Sequence, residues 1–77
     1  MKTKVYCVYR GYRSTKAIAV YYNPDQAVEL IKSIADANNG GVYRMWTMDN
    51  VDYYDCGLNI YKVVEKDLQE IRDNLLT

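Results

Sequence analysis

Histidine and phenylalanine are absent from this 77-residue chain, and proline and tryptophan occur once each. Without histidine there is no imidazole base, no Ser-His or Cys-His pair and no imidazole metal ligand. Only two cysteines are present, Cys7 and Cys56. They do not complete a four-ligand zinc site of the usual kind, and a small secreted disulfide scaffold carries four or more. Each lies in a strand-like apolar pattern, so both are expected as buried small hydrophobes rather than as a disulfide. Long apolar runs are also missing. The longest uncharged stretch, Ala17 to Pro24, falls far short of the ~18 residues of a membrane span. The N-terminus has Lys2 and Lys4 but no apolar signal region or cleavage site, which leads us to expect a mature, cytoplasmic protein that does not enter a membrane.

The acids offer little more chemistry. Asp49, Asp52 and Asp55 are spaced too sparsely for a calcium loop, and they show no flanking pair of carboxylates. Gly40-Gly41 follows a helical pattern instead of opening one, unlike a phosphate-binding loop. No catalytic residue, metal site or cofactor is expected, and the chain reads as a non-enzyme.

What is present is an ordinary globular composition, 49% hydrophobic and 26% charged, in a chain long enough for one domain spanning residues 1–77. Such a domain buries only about 60% of its unfolded surface, so oligomerisation, here a homodimer, would help it. Net charge is zero but unevenly placed. Residues 1–22 hold five bases and no acid, whereas residues 23–77 hold five bases and all ten acids. Nine residues are tyrosine, a side chain of large rigid area with a polar tip.

Residues 4–10 alternate as a strand, with Val5, Cys7 and Tyr9 on one face and Tyr6 and Val8 on the other. A turn at 10–14 and a second strand, Lys16 to Tyr22, predict a hairpin. Asn23-Pro24-Asp25-Gln26 is a helix start: an N-cap, proline at the first helical position, an acid and a glutamine at the third. Ala27, Ile31, Ile34 and Ala35 recur at helical spacing, and Asn38-Asn39-Gly40-Gly41 ends the helix. A third strand is expected over 42–48 and a turn over 49–52. Tyr53-Tyr54-Asp55 either continues a long hairpin or belongs to a loop closed by Gly57, and Leu58 to Val64 is a fourth strand either way, with Leu58 and Ile60 facing in and Asn59 and Tyr61 facing out. A second helix runs from about Glu65 to Leu75, with Leu68, Ile71 and Leu75 in its apolar stripe. The order ββαββα predicts an α+β domain with a four-stranded, mostly antiparallel sheet and two helices on one face.

Tyr6, Tyr22 and Tyr43 read as packing residues, and Tyr9, Tyr12, Tyr53, Tyr54 and Tyr61 as interface candidates. Two surfaces follow. Asp49, Asp52, Tyr53, Tyr54 and Asp55 combine acids with aromatics on an expected hairpin tip, suited to a basic groove of a partner protein. Arg10, Tyr12, Arg13 and Lys16 interleave bases with an aromatic around the first turn, suited to phosphates and bases. The ordinary use of such residues is a solvated loop.

The run from Lys4 to Tyr9, the Ile18–Tyr21 strand leading into Asn23–Ala27, and the acidic C-terminal helical pattern resemble small accessory proteins of bacteriophages and mobile elements. That class includes anti-CRISPR proteins and other inhibitors of bacterial defence. The resemblance implies a single domain in the bacterial cytoplasm that inhibits a host protein by occupying its surface. The alternatives are a nucleic-acid-binding module using the basic hairpin, and an oligomer that holds a nucleotide in a tyrosine-lined pocket between subunits.

Overall fold

The computed structural model describes residues 3–70. The architecture is α+β: β1 (Lys4–Arg10), β2 (Ala19–Tyr21), α1 (Pro24–Asn39), β3 (Arg44–Met48), β4 (Val51–Asp55) and β5 (Ile60–Asp67). All strand pairings are antiparallel, in the spatial order β2-β1-β5-β4-β3. Leu68, Gln69 and Glu70 are helical.

Helix α1 starts and stops where its sequence says it should. The Asn23 side chain accepts a hydrogen bond from the Asp25 amide at 2.8 Å, and Pro24 occupies the first turn. Gly40 adopts φ 62°, and the Gly41 amide donates to the Ala35 carbonyl at 3.0 Å, closing the last turn. The helix lies across β1 and β2. Its Ala27, Ile31 and Ala35 join Val8, Tyr54, Cys56 and Tyr61 in the main core. Full burial of a side chain such as Ile31 is worth about 1.5–3 kcal/mol.

The sheet has five strands, not the four expected. The two-residue turn Asp49-Asn50, with φ of 54° and 64°, lets Val51 and Asp52 enter β4 instead of remaining in a loop. Gly57, at φ 94°, then turns the chain into β5, and the Cys56 amide donates to the Asn59 carbonyl at 3.1 Å. Three aspartates left residues 53–55 open between a long hairpin and a loop, yet two of the three have local partners. Asp52 accepts from the Thr47 hydroxyl at 2.7 Å, and Asp55 accepts from the Gly57 amide at 3.0 Å.

Strand β5 also runs through Asp67, into the region expected to be helical. Its end is held by β1, where Tyr6 pairs with Glu65, Val5 with Lys66 and Lys4 with Asp67. The Lys4 ammonium lies 2.9 Å from the Asp67 carboxylate. Pairing along a central strand outweighs a helical preference of a few tenths of a kcal/mol per residue. The expected facing of Leu58 and Tyr61 is corrected as well: Leu58, ahead of β5, is 75% exposed, and Tyr61 is buried in the core.

Both cysteines are buried free thiols. Cys56 belongs to the core under α1, and Cys7 to a second cluster with Val5, Tyr9, Val64 and Leu68 on the opposite sheet face. Leu68 therefore packs on the face away from α1, which corrects the expectation that both helical stripes share one face. Ile71 and Leu75, the other members of the second stripe, lie outside the described residues.

Candidate binding face on the sheet

Strand register decides which side chains meet, because residues paired across a sheet share a face. Trp46 pairs with Tyr53, Tyr53 with Lys62, and Lys62 with Tyr9. These four residues form one row across β3, β4, β5 and β1 on the face opposite α1. The Trp46 and Tyr53 rings are near-parallel with centroids 5.7 Å apart. Tyr12, from the loop after β1, sets its ring 5.4 Å from Tyr53 and remains 48% exposed.

Lys62 anchors this arrangement. Its ammonium donates to the Tyr12 carbonyl at 2.9 Å, which fixes the loop over the sheet. The same ammonium stands 5.2 Å from the Tyr9 ring centroid, and that of Lys66 stands 5.3 Å from it. Tyr9 also raises the Lys66 ammonium above its ordinary pKa, chiefly through a hydrogen bond. An ammonium over an aromatic face is attracted by the ring quadrupole.

The register also sorts charge. On β5, Lys62 and Lys66 face the aromatic row, while Glu65 and Asp67 face the side of α1. Arg44 and Asp55 lie at one border of the aromatic face, with a guanidinium nitrogen 3.6 Å from the carboxylate. Arg13 and Lys16 are exposed in the loop that carries Tyr12.

The two surfaces expected from sequence are each divided by the fold. Of the acidic set, Asp49 stands at the β3–β4 turn, Asp52 faces the side of α1, and Tyr53 and Asp55 face the aromatic row. Tyr54 is 3% exposed in the main core, so it cannot serve as a contact residue. Of the basic set, Arg10 shares the α1 side with its partner Tyr61, whereas Tyr12, Arg13 and Lys16 lie in the loop. The structure thus joins Tyr12 of one set to Tyr53 of the other. Tyr9 and Tyr61, also read as interface residues, are buried, while Tyr22, read as packing, is exposed.

Trp46, Lys62 and Lys66 were missed as site residues. Hairpin arithmetic was the available signal for Trp46: it and Tyr53 stand three residues to either side of the Asp49-Asn50 turn. Nothing local announces Lys62, whose place depends on the pairing of β5 with both β1 and β4.

This face can hold flat or apolar groups against its rings and attract negative charge to its rim. Among the described residues, no three His, Cys, Asp or Glu side chains gather as a metal site. Burial raises both thiols above their ordinary pKa, the opposite of an activated nucleophile. A depression of about 290 Å³ lies between Asn39, Val42, Tyr43, Arg44, Asp55 and Gly57.

No helix among the described residues is long and apolar enough to cross a membrane. No protein-family model matches the chain, and no curated protein or solved structure proved similar to it.

Proposed function

We propose that this chain is a non-catalytic binding protein that takes single-stranded nucleic acid on the sheet face opposite α1. The observation that carries this reading is the stacked pair Trp46 and Tyr53 on neighbouring strands, with exposed Tyr12 packed against Tyr53 and Lys62 beside them, while buried Tyr9 supports Lys62 and Lys66 from below. Bases stack on aromatic rings irrespective of sequence, and nearby cations follow the phosphates. Lys66 and Arg44 on the face, with Arg13 and Lys16 in the adjoining loop, supply that rim.

Trp46 is the only tryptophan, so its fluorescence reports directly on the face. Titration with short oligothymidylate and oligouridylate should quench it, with affinity falling steeply as salt rises. Unchanged fluorescence at every oligonucleotide concentration, or affinity indifferent to salt, would overturn the proposal.

A second reading keeps the face and changes the partner. Met48, 49% exposed, pairs with Val51 and extends the aromatic row with apolar area. Trp and Tyr beside apolar neighbours are the usual anchors of protein interfaces. In this reading the chain occludes a host protein, as the resemblance to phage-encoded inhibitors implies. Capture of a defined host protein, competed by no oligonucleotide and weakened by Tyr53→Ala, would favour it.

A further inference from the structure

Strand β3 forms one edge of the sheet and has β4 as its only strand partner among the described residues. Its backbone groups can be assigned from the hairpin. The two-residue turn makes Met48 and Val51 the hydrogen-bonded pair beside it, and such pairs alternate along an antiparallel ladder. Trp46 and Arg44 consequently bond inward to β4. Met45 and Thr47 direct their amides and carbonyls outward.

Exposed edges are normally blunted by proline, lysine, a bulge or very short length. At the other edge, β2 has only three residues. Strand β3 has five, Arg-Met-Trp-Thr-Met, with regular pairing throughout and its one charge at the first position. Met45 is 57% exposed and Met48 49%.

We infer that β3 pairs with β3 of a second copy, antiparallel about a two-fold axis at Trp46. This register engages all five residues and matches the hydrogen-bond parity. Met45 and the partner's Thr47 exchange both outward bonds, as do Thr47 and the partner's Met45. Arg44 falls opposite the partner's Met48 and beside the partner's Asp49, so the cation at one end of each strand meets an acid of the other copy. Isologous pairing of this kind closes after two copies and leaves no sticky edge at β3.

The axis also places Trp46 next to the partner's Trp46 on the aromatic face, as a directly opposed pair whose Cα atoms lie about 4.5 Å apart. The row then runs Tyr12, Tyr53, Trp46 and on through the same residues of the partner in reverse. What this doubled row binds rests on the proposed stacking function; the pairing itself does not.

The test begins with the wild-type chain. Sedimentation equilibrium from low to high micromolar concentration should give twice the 9.0 kDa chain mass at the upper end. Hydrogen exchange followed by NMR should show the Met45 and Thr47 amides protected at the same concentrations. Met45→Pro removes an outward amide at a position where an edge strand tolerates proline, and Met45→Lys restores a natural edge block. Each should sediment as a monomer. A wild-type monomer at all concentrations overturns the proposal, as does a dimer whose Met45 and Thr47 amides exchange freely. If one variant fails to fold, the other variant and the wild-type exchange pattern still decide. Quenching of Trp46 by oligothymidylate in a wild-type monomer would refute the pairing and leave the stacking function standing. A dimer with protected edge amides and no quenching would do the reverse.

Discussion

Tyr12 and Tyr53 come from distant parts of the chain, a loop after the first strand and the middle of the fourth, yet their ring centroids lie 5.4 Å apart. The contact closes because Lys62, the sheet partner of Tyr53, also holds the Tyr12 carbonyl. A double-mutant cycle with Tyr12→Ala and Tyr53→Ala, read by urea denaturation, should return a coupling of about 0.5–1.5 kcal/mol. Additivity within about 0.3 kcal/mol would show that the rings do not meet in solution.

Tyr53 and Tyr54 are neighbours with opposite roles. Tyr54→Ala empties a core site against α1 and should cost about 3–5 kcal/mol, enough to unfold much of so small a domain. Tyr53→Ala should cost far less stability, yet weaken oligonucleotide binding by about 1–3 kcal/mol, the scale of one stacked base. Thermal melting and fluorescence titration of both variants check the split. Equal loss of stability in both would contradict the assignment of faces.

Ile31 is fully buried between α1 and the sheet. Ile31→Asp puts an unpaired carboxylate there, a penalty that a fold with about 0.05–0.15 kcal/mol of stability per residue does not absorb. Circular dichroism should show loss of cooperative melting. Ile34→Asp, at a half-buried position, should be milder.

Stability should decline in alkali. Burial raises the Cys7 and Cys56 thiols above their ordinary value of 9.0 and the Tyr54 phenol above 10.0. The native state then keeps protons that the unfolded chain releases. The associated stability is complete below the ordinary values and is lost as pH rises through the raised native ones. Melting temperature should therefore hold steady through neutral pH and fall above about pH 9. Tyr54→Phe should remove part of the decline above about pH 10. A melting temperature that rises with alkali over this range would contradict the burial of these groups.

Helix α1 was legible in the sequence almost to the residue, because its signals are local. Asn23 caps through an amide two residues away, and Gly40 takes the left-handed conformation that ends the turn. The alternation of β1 was equally legible, since Val5, Cys7 and Tyr9 differ in face from Tyr6 and Val8 by the geometry of any strand. The burial of Cys7 and Cys56 as free thiols followed from the apolar strand patterns around them.

The candidate binding face was decided only by tertiary structure. Whether Tyr53 or Tyr54 points to solvent depends on a one-residue choice of register, and a slip by one exchanges every side chain between the two faces. That choice was made by the Asp49-Asn50 turn and by the seating of Tyr54 and Tyr61 under α1. The end of β5 was likewise settled by its partner β1, with Lys4 holding Asp67, against a local pattern that favours helix. Local sequence sets what each segment can become; burial against distant partners selected the faces, because only one register places the apolar halves of β4 and β5 in the same core.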